Sequence, residues 1–379
     1  MASLHDLRLR ASPRWEIVVV DRLSPGELAA LREHDRDTVY GVLRERKGCT
    51  AARPVGRELA LLFLVLREPG LVPRSAVADL GEEAIAALVL DGILEVEHNG
   101  VFVGGPAATE LIAGPDAARS ATSRPAELSI DALRYGEQLA GLSSEELGLR
   151  LYAFGRKPVS PVIRRRLRDA EALEAFLGLA PDGPLRRRLE ASWRAVPGSG
   201  EWKVWRSRAP ARRSSVEGAA RFKLYVSPAW EHLPQALDAV VAYASGSSGA
   251  RAFKIAATQE SFSRPDKLVA YFDSLEELRA VAGRLADERG NWTAHGVPFT
   301  AAVTSDGLLS WGLDPPRASG LGSWREWLTH RLAVHLNDGR SAPAGAVELW
   351  RYAIERIRLE GVDPETWSPA SELTHARPA

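Results

Sequence analysis

Three lysines stand inside short apolar runs. Lys223 lies in Phe222-Lys223-Leu224-Tyr225-Val226, Lys254 in Phe253-Lys254-Ile255, and Lys267 opens Lys267-Leu268-Val269-Ala270-Tyr271-Phe272. Each run has the length and the β-branched or aromatic content of a strand. One lysine in a strand ordinarily points to solvent and asks for no further account. Three on paired strands that share a face would form a cationic floor for a phosphate or a carboxylate. Crowding by other cations also lowers a lysine's pKa, which frees its amine to act as a general base near neutral pH.

The segments between these runs have helical spacing. Leu233, Leu237, Val240, Val241 and Ala244 make one apolar face, and Leu275, Leu278, Val281, Ala282 and Leu285 make another. Short strands with such helices between them are read as an α+β domain.

Residues 221–316 resemble the phosphothreonine lyase family, in particular the lyase domains of lanthipeptide synthetases and the effector-like proteins of peptide natural-product gene clusters. Those lyases open on W-K-I-H-V-S, then carry a helix, F-K-F, a G-K-F-x-x-I-Y-P strand and a second helix. The stretches here read F-K-L-Y-V-S, F-K-I and D-K-L-V-A-Y-F, about a quarter of the chain. The resemblance implies a central, mostly antiparallel sheet. It also implies β-elimination: a base takes the Cα proton of a phosphorylated Thr or Ser in a precursor peptide, and phosphate leaves.

On that resemblance Lys254 matches the base, and Lys223 and Lys267 match phosphate-binding cations. The family's acid is a histidine at the position of Tyr225, whose phenol, with an ordinary pKa of about 10, is a weaker acid than imidazolium. His295, in Ala-His-Gly-Val-Pro-Phe, is the first substitute for it, although a histidine beside such a turn is more often a structural hydrogen-bond former. Arg264, Arg251 and Arg317 are available around the phosphate, and Arg264 is grouped with the lysines. The closing stretch FTAAVTSDG lacks the arginine that the synthetase lyases place there. Elimination of this kind uses no cofactor or metal, and a separate kinase would supply the phosphate.

Composition narrows the rest. Lys plus Arg and Asp plus Glu both number 49, so the net charge of +0 gives no global attraction to nucleic acid or to a membrane surface. The one cysteine, Cys49, excludes an internal disulfide and a multi-cysteine zinc site. With no apolar segment long enough for a signal or a span, a cytoplasmic protein is expected. His330 and His335 are five apart, which is not the spacing of two ligands on one helix face, so metal binding is not expected.

The N-terminal part, residues 1–112, reads as an arm followed by a winged-helix-like module. The arm is a strand over 15–20 and a helix from Ser24-Pro25. The module is a helix over 58–66, a helix over 82–90, and a hairpin about Asn99-Gly100. Such a module binds DNA or captures a leader peptide along its wing. Its second helix begins Glu82-Glu83, and the wing carries Glu95 and Glu97, which argues against DNA. Residues 113–127 read as a linker and 128–196 as a helical region with arginine clusters at 164–166 and 186–188. Residues 197–379 read as the lyase-like domain with a helical tail. Within it, Trp202 and Trp205 suggest an edge strand with both indoles on one side, while Trp292 and Trp311 belong to a groove or to the core. A peptide-binding protein on a degenerate lyase fold is the main rival reading. A winged-helix regulator of transcription comes last.

Overall fold

The computed structural model describes residues 6–31, 39–46, 53–114, 121–198, 200–209, 222–315, 319–342 and 348–370. Cys49, Arg317 and the loop at 211–215 lie outside them. The chain divides into two compact units. The first is Met1–Arg119 with His335–Glu360, and the second is Ser120–Val334 with Gly361–Ala379. Residues 335–360, which the sequence groups with the C-terminal half, therefore cluster with the N-terminal part.

In the first unit, Arg8–Ala11 is the second strand of a four-stranded sheet, between Gly70–Leu71 and Leu94–His98. The expected hairpin is present, and Asn99 and Gly100 both take positive φ, 51° and 79°, as a two-residue turn of this hand requires. Helices Arg57–Val65 and Glu82–Leu90 also stand where their apolar spacing puts them. A third, Arg74–Leu80, buries no residue, so no apolar stripe marks it in the sequence. The wing's acids are neutralised across the sheet: Arg10 pairs with Glu95 at 2.6 Å and Arg8 with Glu97 at 3.1 Å.

The second unit is built on seven strands: β1 (Trp193–Val196), β2 (Trp202–Ser207), β3 (Phe222–Val226), β4 (Ala250–Ala256), β5 (Leu268–Phe272), β6 (Ala301–Ala302) and β7 (Leu309–Leu313). Their order is β6-β7-β3-β5-β4-β2-β1, and every pairing is antiparallel. The chain passes from β3 through α1 (Leu233–Ser245) to β4, and β5 returns between them, so a βαβ unit is split by its third strand. After β5 comes α2 (Leu275–Glu288), capped by Ser274 Oγ, which accepts from the Glu277 amide at 3.2 Å. The two helices carry the apolar faces read from their spacing.

Strand alternation gives the sheet two unlike faces. Leu224 and Val226, Phe253 and Ile255, and Leu268, Ala270 and Phe272 point to one side and join the buried faces of α1 and α2 in the main core. Lys223, Tyr225, Lys254, Val269 and Tyr271 point to the other. Trp202 and Trp205 are three apart and so lie on opposite faces. Trp205 stacks on Phe253 in the core, Trp202 is on the lysine side, and β1 covers the edge expected of β2. Trp292 and Trp311 pack against the core. The expected linker is shortened, because the helix Arg124–Gln138 begins within it, with Pro125 in its first turn.

Phe253, fully buried between Trp193 at 5.1 Å and Trp205 at 6.4 Å, anchors the core side of β4. Phe253→Ala is expected to cost about 3–5 kcal/mol by lost burial and cavity formation. Urea denaturation checks it, and a cost under about 1 kcal/mol would show that this wall of the core collapses to refill the space.

Candidate functional site

The lysine face of the sheet is organised by a carboxylate, Asp266, which immediately precedes Lys267 and β5. Asp266 is 3% exposed. Arg264 donates Nε to its Oδ1 at 2.9 Å and Nη2 to its Oδ2 at 3.1 Å. Arg325, 1% exposed, donates Nη1 to Oδ2 at 3.1 Å. Arg325 also reaches the carbonyls of Pro298 and Tyr152, both at 3.0 Å, and the Tyr152 hydroxyl accepts from Arg264 at 3.0 Å. Tyr152 comes from the helix Ser144–Ala153, whose start is fixed by a capping box between Ser143 and Glu146. Arg325 comes from the first turn of the helix Trp324–Ser341.

Burial pushes the Asp266 carboxyl upward, and the two guanidiniums more than offset it, holding the group well below the usual carboxylate range. Burial also works against the charge of Arg264, and Asp266 outweighs it, so this guanidinium stays firmly protonated.

Lys254 is half-buried beside this cluster. Its Nζ lies 4.0 Å from the centre of the Trp202 ring, which also carries the Arg264 guanidinium at 5.0 Å. Burial most of all pushes the ammonium down, Asp266 pulls it up, and Arg264, Lys223 and Arg325 press it down again, which together leave it at about 8. Lys223, on the same face, is committed elsewhere: its Nζ pairs with Asp314 at 2.7 Å. Counted together, four cations (Lys223, Lys254, Arg264, Arg325) face three carboxylates (Asp266, Asp314 and, at the rim, Glu201). The floor expected to be openly cationic is thus largely compensated from within. Lys254 is the one cation of the four that makes no ion pair among the described residues.

The other candidates are placed differently. Tyr225 is 3% exposed and packs with Val269 and Val297. Burial pushes its phenol well above the ordinary value, with Arg325 acting weakly the other way, so it keeps its proton at any moderate pH. Lys267 and His295 form a separate pair. Lys267 Nζ donates to the Pro228 carbonyl and lies 2.9 Å from His295 Nδ1. His295 Nε2 is 2.6 Å from the Gly155 carbonyl, which only accepts, so Nε2 carries the hydrogen and Nδ1 accepts from Lys267. Burial, with Lys267 and Lys157 nearby, pushes His295 down to about 3. As a neutral donor to a backbone carbonyl, His295 here holds a turn. Arg251 pairs with Asp273, away from the cluster.

No protein-family model and no curated protein sequence matches the chain. Solved structures give distant likenesses of fold. An effector protein from Pseudomonas syringae pv. tomato strain DC3000 aligns at 13% identity and a TM-score of 0.41, covering 66% of this chain and 98% of that one. An effector protein from Pseudomonas syringae pv. syringae strain 61 aligns at 10% identity and a TM-score of 0.43, covering 66% and 99%. A phosphothreonine lyase aligns at 12% identity and a TM-score of 0.25, covering 56% and 99%. Likenesses this distant assign no role to any residue here.

Asp266, Arg325 and Tyr152 are the members of the cluster that the sequence reading passes over. Asp266 stands in Arg264-Pro265-Asp266-Lys267, and a carboxylate flanked by Arg264 and Lys267 is the one signal available for it. Arg325 bonds a partner 59 positions away, and nothing local to Trp324-Arg325-Glu326-Trp327 announces that pairing.

Asp266→Asn keeps the shape and leaves two buried guanidiniums without a carboxylate. A loss of about 3–5 kcal/mol in urea denaturation at neutral pH is expected. Because the folded pKa lies below the unfolded one, Asp266's contribution is present above about pH 4 and is lost as pH falls through the carboxylate range. The variant should therefore show a flatter acid limb of stability than the parent, and an unchanged limb would remove Asp266 from this role.

Proposed function

We propose that the Lys254 face acts on a phosphorylated Thr or Ser of a peptide, with Lys254 as the base of a β-elimination. The observation that carries this reading is the amine itself: half-buried, free of a carboxylate, on an indole face, with a pKa of about 8. About one in ten such amines is neutral at pH 7, enough for a general base. In the step, Lys254 takes the Cα proton. The Cα–H electrons form the Cα=Cβ bond, and the Cβ–O bond breaks with its pair going to phosphate. Arg264 and Arg325 lie near enough to Lys254 to lower its pKa, and their charge offsets that of the enolate-like intermediate.

The proton on the departing phosphate comes, in this reading, with the ester. Tyr225 is sealed and holds its proton, and His295 is neutral and bonded to a backbone carbonyl. An ester that enters as the monoanion, below its second pKa of about 6, leaves as hydrogen phosphate and needs no acid from the protein.

A second reading is favoured by one observation. Arg264 and Arg325 are already engaged by Asp266, which is where a bound phosphate would seek them. On that reading the face binds an anionic peptide without reacting.

Incubation of a phosphothreonine peptide with the full chain, followed by mass spectrometry, separates the two. Elimination removes the mass of phosphoric acid, and Lys254→Ala should slow it at least about 100-fold. Saturable binding without mass loss would leave only the second reading. The pH profile of kcat/KM is expected to be bell-shaped, with limbs near the ester's pKa of about 6 and the amine's pKa of about 8. A rise through pH 8 to a lasting plateau would instead assign the proton to Tyr225.

A further inference from the structure

Lys267 and His295 line a cleft of about 450 Å³ that Lys254, Trp202, Arg264 and Arg325 do not touch. Its walls are tied by backbone bonds. The Lys157 amide donates to the Ser263 carbonyl at 2.9 Å, the Ala229 amide to the Thr293 carbonyl at 2.6 Å, and the His295 amide to the Ser227 carbonyl at 2.8 Å. One wall is aromatic. Trp230 and Phe262 line the cleft, and Phe176 packs against both, with ring centroids at 5.7 and 6.1 Å. The Arg166 guanidinium lies 5.7 Å from the Trp230 ring centre.

The charge in the cleft is unevenly distributed. Lys267 is 1% exposed and spends two of its three ammonium hydrogens on Pro228 and His295. Its third has no protein partner among the described residues. Lys157, exposed at the mouth, makes no ion pair among them either. Glu231 and His232 also line the cleft, so two lysines face one carboxylate and a histidine, while neutral His295 adds no charge.

We propose that this cleft is a second ligand site, for a small molecule that joins one oxyanion, phosphate or carboxylate, to a flat apolar ring. Lys157 and the third N–H of Lys267 take the oxyanion, and Trp230 and Phe262 take the ring. The volume lies in the range of about 300–1,000 Å³ common to small-ligand pockets, whose pattern of apolar walls and few convergent polar groups it shares. Burying an ammonium is costly unless its hydrogens are used, and an incoming oxyanion completes the set on Lys267. The proposal is independent of elimination at Lys254.

Phenyl phosphate, benzoate and inorganic phosphate, titrated into the full chain by calorimetry, test it. Phenyl phosphate or benzoate should bind saturably and more tightly than inorganic phosphate. Lys157→Ala, at an exposed position that the fold tolerates, should weaken that binding about tenfold, the worth of one charge-assisted contact. Lys254→Ala should leave it unchanged. Absence of saturable binding at millimolar probe would overturn the proposal. So would binding lost in Lys254→Ala and kept in Lys157→Ala.

Discussion

The second unit depends on one buried carboxylate held between two guanidiniums. Taking Asp266, Arg264 and Arg325 out of water is expensive, and only dense hydrogen bonding makes the arrangement tolerable. The density is there: Asp266 has both oxygens engaged, and Arg325 uses three of its nitrogens on three different acceptors. The acceptors are contributed by Asp266, two residues ahead of β5, by the helix Ser144–Ala153 and by the backbone at Pro298. Losing Asp266 would strand two buried charges, and losing either carbonyl would leave an N–H of Arg325 unpaired, so the cluster ties these segments to the sheet.

That constraint explains why the sheet has unlike faces. Against α1 and α2, apolar side chains fill the space by shape, with Leu224, Ile255 and Leu268 all fully buried. On the other face the strands present Lys223, Tyr225 and Lys254, and the layer above must answer charge with charge. The answer is almost exact in number, and Lys254 is what remains. A single half-buried amine beside fixed charges is chemically more selective than an open basic floor, because its protonation is set by neighbours that cannot move.

The elements were legible in the sequence where period and punctuation act locally. β3, β4, β5, α1 and α2 follow from alternation and apolar spacing, and the Asn99-Gly100 turn follows from its need for positive φ. Elements with weak or absent stripes escaped: Arg74–Leu80 buries nothing, and Arg8–Ala11 alternates over only four residues. The site was half legible. A lysine in an apolar run is visible from its neighbours, but the carboxylate that answers it is not, because Tyr152, Asp266 and Arg325 meet only through the fold.

The three lysines make the same point at closer range. By type and setting they are alike, each in or beside a strand of the same sheet. Lys223 is neutralised by Asp314, Lys267 is turned to a backbone carbonyl and a neutral imidazole, and Lys254 rests on an indole with no carboxylate to hold it. Burial lowers the pKa of both Lys254 and Lys267, to about 8 and about 7, yet the consequences differ. The Lys267 amine keeps two hydrogens when neutral, so it stays tied to Pro228 and His295 in either form. Lys254 is held, among the described residues, by no more than a cation–π contact, which makes it the lysine of the three whose neutral amine is not already committed to the fold.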